Sequence, residues 1–289
     1  IVDSYLKQVI RSVQSKGFNP YTDGMKIYTN LDLAAQKRLY KIGNSSNYVQ
    51  YPDSKFQLGV SITNPNNGKV VAMLGGRQNG NVTFGLNRAV QTDRSSGSTA
   101  KPLMDYGPAI QYLNWPTSRT VKDEPFTYPG SKTKLYDFDK AYKGKMTMRQ
   151  ALVQSRNIPA IRTLQDVGIS KATTFLGKLG ISQKGTYNLQ NGIGLYISPL
   201  QEAAAYAAFA NGGTYYKPYY VNKIVTQSGK TYRYSSQGKR AMSKATAYMI
   251  TDMLKGVLTD SNGTGSTAAI SGLYEAGKTG TTAYPSDIA

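Results

Sequence analysis

The sequence predicts an α+β fold, with strands near both ends and a helical middle. Three observations carry this. Two apolar runs flank "NPNNG" at residues 64–68, helical spacing dominates residues 98–180, and strand-like runs return after residue 213. A chain of 289 residues is long enough for one large domain with a sizeable core.

Taken in order, Val2, Tyr5, Leu6, Val9, Ile10 and Val13 recur at helical spacing, predicting an amphipathic helix over 2–15. "MKIYT" reads as a strand and "LDLAAQKRLY" as a second helix. "LGVSITNPNNGKVVAMLGG" then gives a hairpin around its turn residues. A helix opens at Ser98 with Leu103, Met104, Tyr106, Ile110 and Leu113 on its apolar side, and Pro108 should bend it. Residues 146–180 read as two or three short helices broken at "SRNIP" and "DVGIS". "SPLQEAAAYAAFANGG" has a Ser-Pro start and a Gly-Gly stop around an alanine-rich core. A second hairpin follows over 214–236, then a helix in "SKATAYMITDMLKGVL", and "LYEAGKTGTTAY" reads as a final strand of a single sheet.

Composition restricts the chemistry. With no His and no Cys, neither a Ser-His-Asp triad, a thiol nucleophile nor an imidazole or thiolate metal site can form. Catalysis would have to use Ser, Thr, Lys, Tyr, Asp or Glu, and no metal or cofactor is expected. The formal charge of +19, from 35 basic and 16 acidic residues, favours anionic surroundings such as an acidic membrane surface or wall polymer. The charge is dispersed and no nucleic-acid-binding signature accompanies it, so no nucleic acid partner is expected. No run of about 18 apolar residues exists to span a membrane. The first residues, "IVDSYLKQV", lack Met and a signal sequence and suggest a piece of something longer.

S-x-x-K occurs four times, starting at Ser4, Ser98, Ser131 and Ser236. Only Ser98 follows a glycine and opens an apolar helix. There Lys101, three residues on, lies on the same face and can reach back to the serine oxygen. The helix's positive end favours a developing alkoxide, and partial burial would lower the lysine pKa. The competing use of Ser98 is a helix N-cap. Two further motifs weigh against it: "QSRNIPA", with Ser155 and Asn157 in S-x-N, and "AGKTGTT", with Lys278, Thr279, Gly280 and Thr281. The three lie in order, 57 and 123 residues apart.

With S-x-x-K, S-x-N and K-T-G in place, the chain resembles the penicillin-recognising serine acyltransferases. Within them it is similar to the transpeptidase domain of a class A penicillin-binding protein. "LNRAVQTDRSSGSTAKP", "SRNIPA", "SPLQEAAAYAAFANGGTYYKP" and "EAGKTGT" carry that closer likeness, and "MKIYTNLDLAAQ" looks like the linker from the family's glycosyltransferase domain. The resemblance implies an antiparallel sheet flanked by helices, with an all-helical subdomain. It divides the chain into a linker region, 1–54, and a transpeptidase domain, 55–289, cut short after the K-T-G strand.

It also implies roles. Ser98 attacks the penultimate D-alanine carbonyl of a peptidoglycan stem peptide, and Lys101 takes its proton. Ser155 and Lys278 relay a proton to the departing D-alanine, and Asn157 holds the substrate's amide backbone. Thr279 and Thr281 hold the terminal carboxylate, with Gly280 leaving room for substrate along the strand. The backbone N–H groups of Ser98 and Thr281 form the oxyanion hole. β-Lactams acylate the same serine, and an amine acceptor completes cross-linking. Of Glu124, Glu202 and Glu275, none falls where a deacylating glutamate would sit, which favours transfer over hydrolysis. A DD-carboxypeptidase and a non-catalytic β-lactam- or wall-binding sensor remain open. The expected location is the extracytoplasmic face of a bacterial membrane, anchored by an N-terminal segment absent from this chain. A companion fragment of the same protein is expected to complete the sheet.

Overall fold

The computed structural model describes residues 1–183 and 185–282. Helix α1 (Asp3–Ser15) leads into β1 (Met25–Thr29), α2 (Leu33–Asn44) and the strands β2 (Val60–Thr63) and β3 (Val70–Leu74). The middle holds α3 (Gly107–Leu113), then β4 (Thr120–Asp123), β5 (Phe126–Thr127), β6 (Lys134–Leu135) and β7 (Gly144–Thr147). Helices α4 (Met148–Val153), α5 (Asn157–Val167), α6 (Ile169–Lys178) and α7 (Pro199–Ala210) follow. The last elements are β8 (Thr214–Tyr215), β9 (Val221–Thr226), β10 (Thr231–Arg233), β11 (Lys239–Arg240) and α8 (Lys244–Thr259). Several helices start where the sequence offers a cap: Asp32, Thr147 and Ser243 side chains each accept a first-turn N–H. None of the described helices is long and apolar enough to cross a membrane.

The chain forms two compact units. The first comprises residues 1–92, 198–207 and 215–239. Its sheet runs in the order β1-β9-β10, antiparallel throughout. Helix α1 lays Tyr5, Val9 and Val13, one face at four-residue spacing, into a cluster with Val70, Met73, Val221 and Ile224. The "NPNNG" hairpin forms as read, with Val60 opposite Leu74, but β2 and β3 make a sheet of their own.

The second unit comprises residues 93–197, 208–214 and 240–289. Its helical run from residue 97 differs from the single bent helix expected. Gly97–Ala100 is a 3-10 turn, Lys101–Tyr106 a π-turn, and only Gly107–Leu113 is α-helical. The π-turn is closed by Gly107 N–H donating to Pro102 O, five residues back, and Pro102 itself has no N–H to give to an α-helical ladder. Pro108 breaks nothing, because at the start of α3 its missing N–H costs little. Leu103, Met104, Tyr106 and Ala109 are fully buried here. Two short ladders, β4 with β7 and β5 with β6, have no counterpart in the sequence reading.

The expectations of one sheet and of a strand at 273–284 are both corrected. Among the described residues the strands form one three-stranded and four two-stranded sheets. Residues 273–282 carry no strand, because no described strand offers them a hydrogen-bonding ladder. Ala283 and Tyr284 lie outside the described residues.

Candidate active site

Ser98 sits in the 3-10 turn, where side chains three apart eclipse one another, so Lys101 follows it on the same face. Ser98 is half-buried and caps nothing: the residue before the turn, Ser96, makes no side-chain cap either. The turn is anchored by Ser96, whose N–H donates to Leu195 O and whose hydroxyl accepts from Leu195 N–H.

Lys101 is fully buried. Its ammonium donates to Ser155 O at 2.7 Å, Ser155 Oγ at 3.0 Å and Asn157 Oδ1 at 2.9 Å. Lys278, 180 residues downstream of Ser98 in sequence, donates to the same Ser155 Oγ at 2.8 Å and to Thr279 O at 3.0 Å. The three motifs therefore meet around one hydroxyl. Burial, then the Lys278 charge, holds the Lys101 ammonium well below the usual lysine range. Burial brings Lys278 down to about 8.

The S-x-N turn lies between α4 and α5. Ser155 has φ +53°, a left-handed conformation that a residue with a Cβ adopts only when its surroundings enforce it. Ser155 N–H donates to Leu152 O and Arg156 N–H to Ala151 O, closing the end of α4. Asn157 Nδ2 donates to Tyr136 O at 3.0 Å, which leaves its Oδ1 facing Lys101.

K-T-G runs against the Ser98 turn by close backbone approach. A Cβ on Gly97 would stand 2.6 Å from Thr281 O and 2.8 Å from Thr281 N, and Gly97 has φ +58°. A Cβ on Gly280 would stand 2.6 Å from Ser96 O. The glycine at 280 is thus required by the turn packed on it, a reason independent of any ligand. Thr279 Oγ1 is 2.7 Å from Thr264 Oγ1, and Gly277 N–H donates to Leu254 O.

Sequence reasoning missed the groups behind the site. Arg156, inside S-x-N, is 1% exposed and faces Asp123, Asp137 and Asp139. Desolvation and the neighbouring Asp123 raise the Asp137 carboxyl to about 6. Asp105, four residues after Lys101, is fully buried with neither oxygen hydrogen-bonded, and burial pushes its carboxyl well up. Nothing in the sequence links the aspartates to Arg156; only folding collects them. Two of the three glutamates are engaged elsewhere: Glu275 accepts from Ile270 N–H, and Glu124 offers its carbonyl to Arg162.

Ser155, a serine beside two lysines of depressed pKa, gives the cluster groups that can exchange protons without histidine. Residues 58–286 match the penicillin binding protein transpeptidase domain, and the chain belongs to that family. It is 48% identical over 98% of its length to Penicillin-binding protein 1A of Streptococcus pneumoniae, of which it covers 41%. It is 38% identical over 97% of its length to Penicillin-binding protein 1A/1B of Bacillus subtilis, covering 31%. The chain thus spans less than half of these relatives. Among solved structures it superposes on Penicillin-Binding Protein 1A from Haemophilus influenzae with TM-score 0.77 at 21% identity, covering 96% of this chain and 62% of that one. It superposes on PonA1 from Mycobacterium tuberculosis in complex with penicillin V with TM-score 0.74 at 22% identity, covering 90% and 72%. These distant structures share the fold.

Proposed function

We propose that this chain is a serine DD-transpeptidase acting on peptidoglycan stem peptides ending in D-Ala-D-Ala. The observation that carries the reading is the meeting of Lys101 and Lys278 at Ser155 Oγ, at 3.0 and 2.8 Å, with Asn157 Oδ1 also on Lys101, the residue one 3-10 turn from Ser98. In this mechanism Lys101, its hold on a proton weakened by burial, takes the Ser98 proton as Oγ attacks the penultimate D-alanine carbonyl. The developing oxyanion accepts from the backbone N–H groups of Ser98 and Thr281; removing one such donor typically costs about 10²–10³ in rate. The close approach of Gly97 to Thr281 N supports that pairing. As the C–N bond breaks, Ser155 passes a proton, drawn from Lys278 or Lys101, to the departing D-alanine amine. Asn157 holds the peptide amide, and Thr279, Thr281 and Lys278 hold the terminal carboxylate. An amine acceptor then takes the acyl group and Ser98 regains its proton.

β-Lactams are the expected inhibitors, acylating the same oxygen; PonA1 was solved with penicillin V. The basic charge and the family support a location on the extracytoplasmic face of a bacterial membrane. The reading also gives residues 275–282 a partner strand from a companion segment of the same protein; Tyr274, just before it, is 97% exposed. One experiment addresses these points. Intact mass spectrometry of the purified protein with and without benzylpenicillin should show a single adduct, mapped to Ser98, and any companion chain. D-alanine release from a stem peptide with an amine acceptor should follow. An adduct on Ser4, Ser131 or Ser236, or none on folded protein, rejects the mechanism. Acylation without D-alanine release points to the sensor, and release without transfer to the carboxypeptidase.

A further inference from the structure

We infer that Arg156 is a positioning residue: it clamps the 137–141 loop to the S-x-N turn and thereby holds Ser155 and Asn157 in register with Lys101 and Lys278. This rests on the active-site reading above and goes beyond it, because Arg156 occupies the variable position of the motif and touches no reacting group.

The geometry is specific to a forked guanidinium. Arg156 makes five side-chain hydrogen bonds: Nε to Asp123, one terminal nitrogen to Asp139 Oδ2 at 3.1 Å, and the other to Asp137 Oδ2 at 3.1 Å, Asp139 Oδ1 at 3.1 Å and Ala141 O at 2.9 Å. The Asp139 contact is bidentate, and the guanidinium also lies near the exposed ring of Phe138, 5.9 Å from its centroid. Asp137 then turns back to the motif, accepting Ile158 N–H through Oδ1 at 3.0 Å. Tyr136 O accepts from Asn157 Nδ2. The loop is thus tied to residues 156, 157 and 158 in succession.

The turn needs such a hold. Ser155 has a positive φ, a conformation that persists only where its surroundings over-determine it. Its hydroxyl must meet two lysines on one side while the Asn157 amide bridges Lys101 and Tyr136 on the other. Backbone bonds to Ala151 and Leu152 fix only the α4 side of the turn. Arg156 fixes the other. A lysine there keeps the charge and cannot span the same set of oxygens.

The test uses the full protein with Arg156→Lys and Asp139→Asn. Asp139 is at the partly exposed edge of the cluster, so its loss loosens the clamp while Asp123, Asp137 and Ala141 still satisfy the arginine. Two readouts are taken on folded protein, with the thermal midpoint recorded. The first is the acylation rate constant at saturating benzylpenicillin, separated from the noncovalent dissociation constant. The second is amide exchange over residues 155–158. Arg156→Lys should slow acylation at least tenfold and speed exchange at least tenfold; Asp139→Asn should change each about threefold. Unchanged acylation in folded Arg156→Lys, or a fall confined to the dissociation constant, overturns the inference. If Arg156→Lys does not fold, Asp139→Asn decides, and parental values of both overturn it. A parent that is not acylated at all rejects the proposed function instead, and the exchange readout then decides the clamp alone.

Discussion

Lys101 concentrates the chemistry of the site at the residue scale. An ammonium with no solvent exposure is costly, and its three acceptors, all from the S-x-N turn, offset only part of that cost. The balance leaves it easily deprotonated, as a base must be. Arginine at this position stays protonated at any accessible pH. Lys101→Arg should therefore lower penicillin acylation by about 10²–10⁴. Overpacking should cost about 1–3 kcal/mol of stability. Acylation within tenfold of the parent, in protein folded by circular dichroism, would show that Lys101 is not the base. The sequence made Ser98 and Lys101 legible because their spacing is local. It could not show that Lys101 hydrogen-bonds the S-x-N turn in this state, since that depends on where α4 and α5 meet.

Among elements, those long enough to bury a stripe were legible: α1, α2, α6 and α8 repeat apolar residues at helical spacing, and β2–β3 announce their turn. Two-residue strands such as β5 and β6 carry no period to read. The aspartates around Arg156 lie 17 to 33 residues from it, beyond any local pattern. The K-T-G segment failed for a different reason. Its composition is strand-like, yet its hold on the site comes from close packing against the 3-10 turn rather than from a ladder. Gly97 and Gly280 are where that packing is closest. Gly97→Ala combines a left-handed backbone with a Cβ that collides with the Thr281 peptide, so destabilisation of about 1–3 kcal/mol is expected. Acylation should fall at least tenfold as the Thr281 N–H is pushed aside. A lower thermal midpoint with undiminished acylation would refute the second half of this prediction and, with it, the Thr281 oxyanion donor.

At the scale of the whole molecule, charge is the dominant variable, and it bears on how the site's cost can be measured. The chain carries +19 at neutral pH and has a pI near 9.8, so self-repulsion relaxes as pH rises. That relief is nearly the same in a variant differing by one charge. The buried Lys278 adds a second, local term. Folded Lys278 releases its proton through about 8, whereas in the unfolded chain it does so near the ordinary lysine value of about 10.5. Between those values the unfolded state binds more protons, so this term makes the parent more stable as pH rises; below pH 8 the full penalty of a buried ammonium is present. Lys278→Gln removes the titration while leaving the general repulsion almost intact. Urea unfolding of both proteins at pH 6, 7, 8, 9 and 10 should show the parent gaining stability on the variant from pH 8 upward, with little relative change between pH 6 and 7. Parallel curves would mean that Lys278 is not held in a desolvated site, and would remove its claim to donate a proton through Ser155.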